Sequence, residues 1–224
     1  MFTILKNLDW SILVNMVLSV IPALICITFH EFSHGLIAYK LGDTTAKDKG
    51  RLTLNPLKHI DVIGFIMMAV FHFGWAKPVP VNMYRFKNPK AGMAITALAG
   101  PVSNLVLAAV FLALYGFLWP VLYMSEIGSI VLDMLNTTAV ISMSLAIFNI
   151  IPIPPLDGSK ILFSFVPQHI YNKLMRYERY GMIILVALIY FGAVDGFLDT
   201  AVGFVYNKLF VIAEGANYLA NLIF

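Results

Sequence analysis

Four stretches of 15 or more residues in this chain contain no Asp, Glu, Lys, Arg or His: 10–29, 91–125, 134–156 and 180–194, of 20, 35, 23 and 15 residues. A helix needs about 20 apolar residues to cross a bilayer, and in lipid only helices and closed barrels satisfy their own backbone. Three of the stretches are long enough outright. The fourth reaches that length only if extended past Asp195 or back through Tyr177, and the ten-residue run 62–71 fits a re-entrant or interfacial element better than a crossing. Composition agrees, with 60% hydrophobic and 12% charged residues against about 25% charged in a soluble domain. The expected fold is an all-α polytopic membrane protein with four to five transmembrane helices plus a re-entrant hairpin, the third span broken by prolines.

Charge sets the expected orientation. Segments 40–61, 77–90 and 157–179 hold five, four and four of the 15 Lys and Arg, whereas 119–129 holds none. By the positive-inside rule the three basic segments lie in the cytoplasm, so the first span runs inward, the hairpin returns to the same side, the second span runs out and the third runs in. The net charge of +3 is scattered around apolar runs and forms no stripe with interleaved aromatics, so no nucleic-acid partner is expected. The partner implied by composition is the lipid bilayer of the cell membrane, which the chain crosses several times. Residues 200–224 are apolar but hold Asn207, Lys208, Glu214 and Asn217, and fit either a further span or an interfacial helix. There is no repeat, and 119–129 is too short for an inserted domain. One membrane domain over 1–224 is expected, with a core at about 10–160 and C-terminal helices at about 177–224.

Chemistry concentrates at the inner end of the first span, in His30-Glu31-Phe32-Ser33-His34. Two histidines four apart lie on one face of a helix, the spacing two zinc-binding imidazoles need, and Glu31 beside them can act as general base. With five His in 224 residues, the pattern is expected by chance about 0.002 times. Ionisable groups at membrane depth are costly and mark function. The single cysteine, Cys26, excludes a cysteine-rich zinc knuckle. A third ligand has to come from far along the chain, since the next glutamate after Glu31 is Glu126 and the longer soluble pattern meets Ile37 and Lys40. The strongest candidate is Asp157, in Asn149-Ile150-Ile151-Pro152-Ile153-Pro154-Pro155-Leu156-Asp157-Gly158. Its prolines break a helix, which lipid tolerates only where the freed backbone is buried in protein or lines a cavity. The first and third spans both run inward, which brings His30, His34 and Asp157 to the same boundary.

These residues, with segments 50–61, 74–82 and 99–104 (Ala99-Gly100-Pro101-Val102-Ser103-Asn104), resemble the site-2 protease family of intramembrane zinc metalloproteases, in its compact prokaryotic form without a PDZ domain. The resemblance covers nearly all of 10–200. It implies one zinc ion per chain held by His30, His34 and Asp157, Glu31 as catalytic acid/base, and Asn149 facing the site as a supporting hydrogen-bond donor. It further implies a membrane-dipping hairpin at 74–82 that offers an edge to an unwound substrate, and substrates that are transmembrane proteins or peptides. Gly100 and Asn104 read first as close helix packing, and His59 and His169 as facing solvent or headgroups. The competing classes are a divalent-metal transporter and a non-catalytic relative that binds membrane helices.

Overall fold

The computed structural model describes residues 10–61, 64 and 76–224. Six helices organise them: α1 (Trp10–Lys40), α2 (Pro89–Leu122), α3 (Glu126–Ile150), α4 (Asp157–Phe163), α5 (Gln168–Tyr190) and α6 (Asp195–Ile223). Four are long and apolar enough to cross a membrane: Val20–Lys40 within α1, and α2, α3 and α6. The chain is an all-α polytopic membrane protein, and its last segment forms a single helix long and apolar enough for a span.

Local chemistry sets the boundaries. Asn88 caps α2 by accepting from the Ala91 N–H, with Pro89 at the first helical position, where a missing N–H costs nothing. Ser125 caps α3 by accepting from Gly128. After Ile150 the prolines 152, 154 and 155 end the helix, and α4 starts afresh at Asp157. The return is tight: a Cβ on Gly158 would lie 2.0 Å from the Ile150 carbonyl oxygen, so only glycine fits there.

Helix α2 is central and packs against α1, α3, α4 and α6. Its seam is built of small residues: Ala108 meets Ala139 and Ala213 in a buried cluster with Leu112 and Met143, and a Cβ on Gly116 would fall 2.0 Å from the Ala213 carbonyl oxygen. Lipid gives no hydrophobic drive to helix association, so close backbone approach is what holds such a bundle.

Among the described residues, the run 180–194 contributes the apolar helical stretch Tyr180–Tyr190. Its helical part continues α5 from the segment holding Lys173, Arg176 and Arg179, and only Tyr180–Tyr190 is apolar, shorter than a span. Gly181 lies against the backbone of Pro154, which places α5 beside the broken end of α3. The expected hairpin falls on 62–76, whose interior lies outside the described residues. Its two ends are paired, Ile60 bridging Ala76 antiparallel and the Lys77 N–H donating to the His59 carbonyl at 2.9 Å.

Candidate metal centre

Helix geometry puts His30 and His34 one turn apart on α1, and the proline turn delivers Asp157 to them at the start of α4. His30 Nε2 and His34 Nε2 each stand 3.1 Å from Asp157 Oδ2 and 3.0 Å from each other. The rings meet edge to face, and all three residues are buried. Zinc with tetrahedral bonds of about 2.0–2.1 Å sets its ligand atoms about 3.3 Å apart, so the triangle needs to open by only a few tenths of an ångström. Two imidazoles and a carboxylate, with the fourth direction left to a cavity, make a donor set that fits zinc. Among the described residues this is the one group of metal-binding side chains so placed.

The outer nitrogens of both rings are engaged. His34 Nδ1 donates to the Thr96 carbonyl at 2.7 Å, and His30 Nδ1 faces the Asn104 amide at 3.4 Å. Thr96, Gly100 and Asn104 lie at i, i+4 and i+8 on one stripe of α2, and between the two contacts Gly100 leaves room for the rings. A Cβ there would sit 2.5 Å from Cε1 of both histidines. Asp157 is held ionised: burial raises its carboxyl, but the charge of His34, hydrogen bonds from both histidines and Lys160 outweigh it and hold it well below the usual carboxylate range. Lys160 Nζ lies 3.6 Å from Asp157 Oδ1.

Glu31 and Asn149 join these residues in lining a cavity of about 540 Å³. Glu31 Oε2 accepts the Val79 N–H at 2.7 Å. Asn149 donates one amide N–H back to the Leu145 carbonyl at 2.9 Å and still faces the cavity. Val79 belongs to a strap, residues 76–82, tied down on both sides. Arg51 Nη2 donates to the Lys77 carbonyl at 2.8 Å, and the Asn82 N–H donates to Asp43 Oδ2 at 2.6 Å. Asp43, fully buried, also accepts from the Thr45 N–H at 3.0 Å and its hydroxyl at 2.5 Å. Pro78 and Pro80 have no N–H, so between the two ties Val79 and Val81 carry the only backbone donors.

Sequence reasoning did not single out Thr96, Asp43 or Arg51. Thr96 acts through its carbonyl, which leaves no trace in residue type; Asp43 and Arg51 reach segments about 26 to 40 positions away. His59 is a correction: it is buried, and its Nε2 donates to the Thr53 carbonyl at 2.9 Å, so it braces the loop before the hairpin. Cys26 is buried one turn before His30 but points to the Thr138 carbonyl on α3, as a packing residue.

Several known proteins are similar to this chain. The profile of peptidase family M50 matches residues 124–192. A Bacillus subtilis protein provisionally named zinc metalloprotease YwhC is 39% identical over 171 residues, 75% of this chain and 78% of that one. A provisionally named zinc metalloprotease of Methanocaldococcus jannaschii, MJ0611, is 34% identical over 69% of this chain and 73% of its own. The Mycolicibacterium smegmatis protein provisionally named zinc metalloprotease Rip2 is 30% identical over 74% of this chain and 64% of its own. No solved structure gives a significant match.

Proposed function

The chain belongs to peptidase family M50, the site-2 proteases, and from that premise we propose that it is a zinc endopeptidase hydrolysing peptide bonds in or near the transmembrane segments of membrane proteins. The observation that carries this reading is the convergence of His30 Nε2, His34 Nε2 and Asp157 Oδ2, with Glu31 beside them, in a cavity among apolar helices.

In this reading His30, His34 and Asp157 hold one zinc ion. Bound there, zinc supplies Lewis acidity that activates water near neutral pH and polarises a peptide carbonyl. Glu31 Oε1 takes a proton from water as it attacks, and then passes that proton to the leaving amine. The Val79 N–H fixes the other carboxylate oxygen, so that Glu31 points along one direction into the cavity. The second N–H of the Asn149 amide donates to the oxygen that gains charge on the substrate. A helical substrate buries its carbonyls in its own hydrogen bonds, so it unwinds before the cavity can take it. The strap 76–82, held at Lys77 and Asn82, offers the extended edge along which the unwound chain lies. Residues 1–224 act as one catalytic domain in the cell membrane, with the site near the cytoplasmic side, where water enters.

The test compares wild type with Glu31→Gln on a single-span reporter in reconstituted vesicles, at matched zinc content. Cleavage is expected from the wild type and a loss of at least 10²-fold from the variant, with zinc retained by both. Equal behaviour of the two, without cleavage of any span in a panel, would leave a membrane-helix-binding relative, and zinc flux across the vesicles would instead mark a transporter.

A further inference from the structure

A zinc ligand has to present a lone pair, and an imidazole does so at Nε2 only when its proton sits on Nδ1. For His34 the question is closed by its partner. The Thr96 carbonyl, 2.7 Å from Nδ1, can only accept, so Nδ1 carries a proton and Nε2 is the nitrogen left to bind zinc. For His30 the neighbour is an amide that can present either face. As placed, Asn104 Nδ2 is 3.4 Å from His30 Nδ1. That orientation turns a donor towards Nδ1, which would move the ring proton to Nε2, into the middle of the triangle with His34 and Asp157.

A second observation shows that the placement leaves something unmet. Asn104 is fully buried, and its Oδ1 has no hydrogen-bond partner. A buried acceptor left unpaired loses its hydration with nothing in return. The oxygen and nitrogen of an amide exchange places by a half-turn about χ2, and their assignment follows the hydrogen-bond network. With the amide turned, Oδ1 takes the His30 Nδ1 proton. One rotation supplies the stranded oxygen with a donor and leaves His30 Nε2 bare. The residue is well held for this task, since Ser142 on α3 donates to the Asn104 backbone carbonyl at 2.8 Å.

We propose that Asn104 is the positioning residue of His30: its side-chain oxygen accepts the Nδ1 proton and fixes the tautomer and ring plane in which Nε2 can bind zinc. The role is the side-chain counterpart of the Thr96 carbonyl on His34, and it replaces the reading of Asn104 as helix packing. Partners of this kind are typically worth 10–100-fold in metal affinity. The proposal rests on the zinc reading given above.

The experiment measures zinc affinity by chelator competition on the purified full chain in detergent, for wild type, Asn104→Leu and Asn104→Asp, with helicity checked by circular dichroism. Leucine keeps the volume and removes the acceptor; aspartate keeps an acceptor and removes the donor. An acceptor role predicts a loss of about 10–100-fold for Asn104→Leu and an affinity within about threefold of wild type for Asn104→Asp. A packing role predicts the reverse order, because leucine fills the seam and a buried carboxylate harms it. Wild-type affinity in Asn104→Leu, or an equal loss in both folded variants, overturns the proposal while leaving the zinc reading intact. A wild type that binds no zinc overturns both. Should a variant not fold, proton–nitrogen spectra of histidine-labelled wild type with zinc decide the matter: a hydrogen-bonded, slowly exchanging His30 Nδ1–H is expected, and one that exchanges with water as a free N–H does overturns the assignment.

Discussion

Gly100 shows how little freedom the centre has at the scale of one residue. The two imidazoles are fixed from outside by Thr96 and Asn104 and from inside by Asp157, and the missing side chain of Gly100 fills none of the space between. A methyl group 2.5 Å from Cε1 of both rings leaves them nowhere to go but out of register. Gly100→Ala is therefore expected to lower zinc affinity and to cost about 10²-fold in turnover, the scale of a misplacement by about an ångström. The helix itself gains, alanine being the better helix former by about 1 kcal/mol. Chelator competition alongside thermal unfolding checks this: weaker zinc binding without lost stability is the expected pair, and wild-type affinity would contradict it. The same contrast explains what could be read from sequence. His30, Glu31 and His34 are legible because helical periodicity turns a spacing into a geometry, and Asp157 because prolines in a span demand a cavity. The Thr96 and Asn104 contacts come from a helix more than 60 positions away, at no spacing the chain fixes.

At the scale of elements, the strap 76–82 is the part of the site that the bundle does not itself hold. Its two ties are unlike: Arg51 grips the Lys77 carbonyl from a half-buried side chain, whereas Asp43 is fully buried and gathers three donors, two from Thr45 and one from Asn82. Asp43→Ala strands the Thr45 and Asn82 N–H groups, an expected cost of about 1–3 kcal/mol. It is expected to lower turnover by loosening Val79 over Glu31 and to leave zinc affinity unchanged, because Asp43 touches no ligand. Its pH dependence has a definite sign. Burial raises the Asp43 carboxyl, but hydrogen bonds from Thr45 and Asn82 and the charge of Arg85 hold it below its ordinary value of 3.8. A carboxyl depressed in the folded state stabilises above its unfolded value and loses that contribution as pH falls through the folded one. Unfolding temperatures between pH 7 and 3 are expected to fall below about pH 4, and to fall less steeply in Asp43→Asn; an identical slope would remove Asp43 from the account. Elements differ in legibility for a related reason. The long uncharged runs of α2 and α3 announce themselves. In α5 an apolar half, Tyr180–Tyr190, is continuous with a basic half. In α6, Lys208 and Glu214 interrupt the apolar pattern of a 29-residue helix whose packing against α2 at Gly116 the sequence does not show.

For the whole molecule, the orientation in the membrane decides from which side water and substrate meet the site, and α2 supplies the ruler. Its 34 residues rise about 51 Å, more than the roughly 30 Å hydrocarbon core, so its ends emerge on opposite faces. Gly100, against the two histidines, stands eleven residues in from Pro89, about 16 Å along that axis. Gly100 thus stands a third of the way along α2 from the end that follows the basic segment 77–90, and thirteen of the 15 Lys and Arg sit in segments 40–61, 77–90 and 157–179. Under the positive-inside rule, the proposed orientation puts the basic segments and this end of α2 at the cytoplasmic face. Single-cysteine labelling checks it, since the one native thiol, Cys26, is buried and can be replaced by alanine. Tyr84 is 84% exposed before α2 and Met124 is 82% exposed after it. With an impermeant maleimide on intact cells, Met124→Cys is expected to label at once, and Tyr84→Cys only after the membrane is permeabilised. The opposite pattern would put Glu31 and its cavity within reach of the outer face, so that the strap would meet substrates from outside the cell.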